Sequence, residues 1–300
     1  MGTVSTIAVS LGSYLAKLER PDVPKEVLSS GEIRYLPYLA SITLVGFRFL
    51  FKFFGADVVN YTFSIYVGLA GTNSIWFLLR ALFPKKSRPL IRYPRSHTIL
   101  TQFMFPSQPI WFCLFDIPLY AVGAFINLWY YKTRNAYVGN IIALSIAIYA
   151  IMAIRVGKFS KVWRLVFSLV IYDVVFVYLT NVMTIVATNL DGPVKLVIPR
   201  FDGYGGYSIL GLGDLVYPGL FMAVCSRFDH FLYGILKKRT PYWIISIIGY
   251  VVGIVITDVF CYITQSGQPA LLFLIPSIAI PVFIATIVRR EYYAFASFNG

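Results

Sequence analysis

The chain is 300 residues long and 58% hydrophobic, with 13% charged residues where a soluble domain carries roughly a quarter. Its formal charge of +13 invites a nucleic-acid reading, yet the cations cluster in alternate connections between long apolar runs. That distribution excludes a soluble domain of useful size and a nucleic-acid binder, and it makes the charge a topological signal.

Taken in order, residues 3–16 are apolar but fall short of the ~20 needed to span a bilayer. No basic region precedes them as in a signal peptide, so they read as a truncated or interfacial first helix. After a polar stretch at 17–34, eight spans are predicted at 36–54, 60–82, 108–131, 136–155, 162–187, 205–226, 241–263 and 268–288. The fold class is therefore all-α and polytopic, with residues 1–300 as one integral membrane domain. The longest connection, 83–107, is punctuated by Pro84, Pro89, Pro94 and Pro106. The link 188–204 reads as short and turn-rich.

Twenty of the 26 Lys and Arg fall at 17–34, 80–95, 155–164, 227–239 and 289–290. The intervening connections hold few. This positive-inside alternation assigns the basic connections and the C-terminus to the cytosol and the 188–204 link to the opposite side.

Two acids interrupt these runs, Asp173 in LVFSLVIYDVVFVYLTNV and Asp214 in YSILGLGDLVYPGLF. A carboxylate at bilayer depth costs several kcal/mol unless protonated, paired or facing water, so each marks a candidate functional site. Counted from the predicted boundaries, Asp173 lies ~16 Å and Asp214 ~14 Å from opposite faces of a ~30 Å core. The two depths coincide, which points to one shared site.

Two carboxylates held close keep one proton between them. The ionised partner can take a proton from water attacking a carbonyl. The protonated partner can donate to the carbonyl oxygen and then to the leaving amine. This is aspartic-protease chemistry, with no metal, cofactor or covalent intermediate. Midplane acids also suit a transporter or an ion leak channel, which stands as the alternative.

Around the acids, Gly211 and Gly213 flank Leu212 and remove bulk beside Asp214, which suits either a close substrate or ordinary tight packing. Tyr172 precedes Asp173 and is placed to hydrogen-bond in the site. Gln268, Pro269, Ala270 and Leu271 open the last span, either as a plain proline helix start or as irregular backbone lining a wet cavity.

Other candidates weigh less. Asp116 sits near a helix start. Asp258 suits an interhelical hydrogen bond or an interfacial position better than a third catalytic place. His97 and His230 lie at cytosolic ends, and Cys113, Cys225 and Cys261 are scattered packing residues without metal-ligand spacing. The sequon at Asn60 lies close to the membrane and reads as unmodified.

The motifs YD, GLGD and QPAL, in that order on successive predicted spans, resemble those of the signal peptide peptidase family of GxGD intramembrane aspartyl proteases, relatives of presenilin. Stretches such as IYDVVFVYLTNVMTIVA, GPVKLVIP, LGLGDLVYPGLF and CSRFD extend the similarity over most of 36–293. The short link between the catalytic spans and their orientation favour this branch over presenilin.

The resemblance implies a nine-helix protease with Asp173 and Asp214 as its dyad. It implies Pro269, Ala270 and Leu271 as cleft residues, and Tyr172, Gly211 and Gly213 as support. It further implies an endoplasmic reticulum membrane setting, with signal peptides and single-span type II anchors as substrates. The lipid bilayer is the constant partner, and a homo-oligomer is left open.

Overall fold

The computed structural model describes residues 2–17, 26–28, 30–82, 91–92, 111–112, 116–156, 159–180, 186, 189–199, 207–237, 240–264 and 268–298. Nine long helices lie within these residues: α1 (Gly2–Lys17), α2 (Ser30–Phe54), α3 (Ala56–Leu82), α4 (Asp116–Thr133), α5 (Ala136–Ala153), α6 (Phe159–Val174), α7 (Gly213–Leu236), α8 (Tyr242–Thr264) and α9 (Ala270–Val288). A short α10 (Tyr292–Ser297) follows. Five of the nine are long and apolar enough to cross a membrane by length and composition.

Helix α7 is the axis of the bundle. Residues 218–228 are buried without interruption, as expected of a helix apolar on nearly every side. Helices α1, α5, α6, α8 and α9 all pack against it. Leu215, Met222, Cys225 and Phe228 stand in one core with Leu165 and Leu169 of α6, Tyr250 of α8 and Leu274 and Ile278 of α9.

The first helix is short but not interfacial. Its 16 residues make ~24 Å at 1.5 Å per residue. It buries Ser5, Ala8, Val9, Gly12, Ser13 and Ala16. Five of these are small, which lets α1 lie close against α5 and α7. A Cβ on Gly12 would stand 3.2 Å from Ile151 Cδ1. Ser13 meets Trp243 at the start of α8, and Gly2 reaches Ile254 in its middle. Helix α1 therefore accompanies only the first half of α8. One face of residues 3–16 completes the bundle through small residues, while Val4, Ile7, Leu11 and Tyr14 leave an exposed apolar face.

The α8–α9 seam is the closest approach of two backbones. A Cβ on Gly249 would fall 2.3 Å from the Ser277 carbonyl oxygen and 2.8 Å from Ile278 Cα. Pro281 lies four residues after Ser277 inside α9 and has no N–H to occupy that carbonyl. A glycine hydrogen fits where no side chain could.

Three predicted spans have different boundaries in the structure. The 108–131 span begins at Asp116, and residues 111–112 instead pair antiparallel with 91–92 as β3 and β2. The 162–187 span ends as an α-helix at Val174 and continues as a π-turn, Val175–Leu179, before Thr180 becomes extended. The 205–226 span is half strand. Strands β5 (Lys195–Pro199) and β6 (Tyr207–Gly211) form an antiparallel hairpin in which Val197 faces Ile209, and α7 starts only at Gly213. A last pair, β1 (Glu26–Leu28) and β4 (Ile154–Val156), runs parallel at the end of α5. The proline-rich connection 83–107 lies outside the described residues except for 91–92.

The hairpin hangs from α5. Asn140 Nδ2 donates to the Val197 carbonyl at 2.8 Å, and Val197 N–H donates to Asn140 Oδ1 at 2.8 Å. A side-chain amide thereby satisfies both backbone groups of one residue on the outer edge of β5. Further along the same link, Arg134 pairs with Asp191 at 3.1 Å.

Candidate active site

Asp173 sits on α6, one residue before its regular helix ends, and is 3% exposed. The π-turn that follows admits an extra residue and redirects the chain. Such turns are uncommon and recur at functional sites. The Tyr172 ring packs on Phe176 with centroids 4.8 Å apart.

The start of α9 meets this turn at two points. Leu271 N–H donates to Asp173 Oδ2 at 3.1 Å. Gln268 Oε1 accepts from the Tyr178 hydroxyl, and Gln268 Nε2 donates to Thr264 Oγ1 at 2.8 Å. Pro269 caps the helix in an extended conformation with φ −67° and ψ 100°. Ala270 and Leu271 are buried. Of the alternatives left open by the sequence, QPAL takes the proline-led helix start, and one of its first free N–H groups is aimed at an acid. Those groups have no partner within their own helix, so a carboxylate there supplies one.

Asp214 arrives by another route. The β5–β6 hairpin brings Gly211 inward, and Leu212 N–H donates to the Val194 carbonyl at 3.1 Å. Helix α7 then begins at Gly213, so Asp214 lies in its first turn. The sequence reading put Asp214 in mid-helix; in the structure a strand leads to it and the helix begins one residue before it. Non-helical backbone is tolerated there because it is buried in protein or lines a cavity.

The Asp214 carboxyl folds back over Gly211. A Cβ at Gly211 would lie 3.3 Å from Asp214 Oδ2, and the Gly211 N–H is one of its hydrogen-bond donors. At Gly213 a Cβ would lie 3.2 Å from Tyr217 Cε2. Leu212 is half-buried, with φ −61° and ψ −32°, and packs against the core. Asp214 is half-buried where Asp173 is buried, and the two acids lie within each other's electrostatic field. Tyr172 and Tyr217 lie in that field as well. Pro218, four residues after Asp214 in α7, has no N–H for the Asp214 carbonyl.

The remaining candidates fall elsewhere. Asp116 is buried beside Trp76 Nε1 at 3.3 Å and Arg80 Nε at 3.5 Å, a polar joint between α3 and α4. Asp258 is on the exposed face of α8. His230 is exposed near the far end of α7, Cys225 is buried and Cys261 half-buried. Cys113 and His97 lie outside the described residues. The Asn60 side chain is engaged: Nδ2 donates to the Asn189 carbonyl at 2.9 Å and Oδ1 accepts Asp191 N–H at 3.0 Å. Among the described residues no group of three or more His, Cys, Asp and Glu is placed to hold a metal.

Three contributors escaped the sequence reading: the Leu271 backbone N–H, the hairpin and the Asn140 clamp. The hairpin had a signal. KLVIP and YSILG are β-rich runs flanking a Gly-rich turn, the pattern of paired strands. Nothing in sequence marks the amide donor or the clamp.

Comparison with known proteins shows the family. A family model described as signal peptide peptidase matches residues 21–300. The signal peptide peptidase of Homo sapiens is 30% identical over 283 residues, which cover 88% of this chain and 72% of the relative. That of Mus musculus is 30% identical over 282 residues, 88% and 71% respectively. A probable intramembrane protease of Schizosaccharomyces pombe is 35% identical over 179 residues, 58% of this chain and 61% of the relative.

Proposed function

We infer, for a chain that belongs to the signal peptide peptidase family of intramembrane proteases, that Asp173 and Asp214 form its catalytic dyad. The protein is a protease that acts on membrane-embedded substrates within the bilayer. The transporter or leak-channel alternative draws no support from relatives named as proteases. One observation carries the dyad reading: the Leu271 N–H bond to Asp173 Oδ2 joins YD to QPAL, while Asp214 of GLGD sits within electrostatic reach of Asp173.

In the mechanism this supports, a water molecule lies between the carboxyls. One ionised oxygen removes its proton as it attacks the scissile carbonyl, and the protonated partner donates to the carbonyl oxygen. The resulting tetrahedral diol collapses as a proton passes to the leaving amine. The Leu271 and Gly211 N–H groups hold the acids in place, so little reorganisation is needed as charge moves. Tyr172, Gly213 and Leu212 shape the wall beside them, with Gln268, Pro269 and Ala270 opposite.

A substrate helix hides its own peptide bonds, so it must unwind before this chemistry begins. The substrates proposed are signal peptides and type II single-span anchors. The setting proposed is a multi-pass place in the endoplasmic reticulum membrane, with the C-terminus cytosolic and the β5–β6 link lumenal. The cation distribution supports that orientation. Residues 1–300 act as one catalytic unit, a reading supported by the packing of five helices around α7.

The test is cleavage of a reconstituted signal peptide by wild type, Asp173→Asn and Asp214→Asn. Each substitution is expected to lower the rate by about 10²-fold or more. Near-wild-type cleavage by either variant would overturn the dyad.

A further inference from the structure

At the end of α7 remote from the dyad, a cleft of about 500 Å³ opens between α1, α7 and α8. Its wall carries Lys17 from the end of α1, Ser226 and His230 from α7, and Thr240 from the α7–α8 turn. Ser226 and His230 lie ~18 and ~24 Å along α7 from Asp214. With Asp214 near the midplane of a ~30 Å core, the cleft sits just beyond the hydrocarbon, at headgroup level.

Charge in the cleft is unevenly satisfied. Asp229, also on its wall, is already occupied: Oδ1 accepts from the Thr240 hydroxyl and Tyr242 N–H, and Oδ2 accepts Trp243 N–H at 2.8 Å. It caps the start of α8. Lys17, by contrast, is held by aromatic faces, its Nζ 3.8 Å from the Tyr14 centroid and 5.9 Å from that of Trp243. Beside the cleft, Arg227 is 8% exposed. Its Nε donates to the Ala16 carbonyl at 3.2 Å, and its Nη2 is buried with no hydrogen-bond partner. The local balance favours an anion.

The apolar surroundings give that anion a tail. Trp243 and Tyr233 line the cleft as interfacial aromatics do. Toward the midplane, Ile244 and Ile248 of α8 and Ile7 and Leu11 of α1 are all exposed, two aliphatic stripes on adjacent helices. We propose that this cleft is a binding site for an anionic glycerophospholipid, its phosphate at Lys17 and His230 and its acyl chains along the α1–α8 stripes. The occupant bridges the short α1 to α7, the helix whose first turn holds Asp214. The choice of an anionic headgroup follows from reading this end as cytosolic, where anionic lipids concentrate.

The test is native mass spectrometry of the full chain released from detergent, with phosphatidylinositol or phosphatidylcholine titrated in. Wild type is expected to retain phosphatidylinositol about five- to thirtyfold more tightly, roughly the worth of one or two interfacial cations. Lys17→Glu should abolish that preference and Lys17→Arg should keep it. Soluble glycerophosphoinositol should compete weakly, because it lacks the chains. A photoreactive phosphatidylinositol on wild type needs no variant, and its adducts are expected within residues 7–17 and 226–248. Equal retention of the two lipids, full competition by the soluble headgroup, or adducts confined to other segments would overturn the proposal.

Discussion

The two halves of the bundle are built by opposite rules. In the half remote from the acids, α7 is continuous helix, α1 lies against it through small residues, and α8 meets α9 backbone to backbone at Gly249. In the half that holds the acids, α6 gives way to a π-turn, α7 is preceded by a strand, and α9 begins at an extended proline. Regular packing supplies rigidity on one side. On the other, departures from the helix free backbone N–H groups, one of which meets Asp173.

Substitutions should separate the halves by readout, and the largest effect is expected at the rigid seam. Gly249→Ala drives a methyl into the Ser277 carbonyl, backbone that cannot swing aside. It should cost about 1–3 kcal/mol of stability and carry activity down with it, seen as a fall in both thermal midpoint and cleavage rate. A stable, fully active Gly249→Ala would show that the seam is looser than described.

Next comes Gly211→Ala beside the dyad. Here the neighbour is the Asp214 carboxyl at 3.3 Å, which yields by a few tenths of an ångström. The expected result is a kcat lower by about tenfold, with KM and thermal midpoint nearly unchanged. An equal loss of stability would place Gly211 with the packing glycines instead.

A smaller effect belongs to the hairpin's anchor. Asn140→Leu removes two hydrogen bonds from Val197 and leaves its backbone groups short of partners, about 1–3 kcal/mol of local stability. Faster amide exchange in β5 and β6, with a few-fold loss of turnover, is the expected outcome. Unchanged exchange in both strands would mean that the clamp is dispensable.

The smallest effect is the control. A Cβ on Gly46 of α2 meets nothing within 4 Å, so Gly46→Ala should be neutral or stabilise by up to about 1 kcal/mol through helix propensity. A clear loss of stability or turnover would reveal a partner on that face.

How legible all this was depended on length scale. Helices α2, α3, α5, α8 and α9 were readable because long apolar runs announce themselves at the scale of a bilayer. The acids were readable because a carboxylate in such a run demands a reason. The first helix was read as short, and it is; its packing against α5 and α7 through small residues was not legible, because lipid length was the only yardstick. Asp214 was given a helical backbone on its N-terminal side where the structure has a strand, since YSILGLG is apolar enough for a span and equally suited to a strand. Periodicity cannot distinguish the two over so short a run. The Leu271 N–H and the Asn140 clamp depend on contacts between segments far apart in sequence, and no local pattern encodes them.

The central claim is that YD, GLGD and QPAL converge on one site. A photoreactive transition-state mimic of aspartic proteolysis, applied to the reconstituted protein, tests it most directly. Labelling is expected on peptides from α6, from α7 and from the start of α9, and it should vanish alike in Asp173→Asn and Asp214→Asn variants that remain folded. Label confined to one helix, or persisting in either variant, would contradict a shared site.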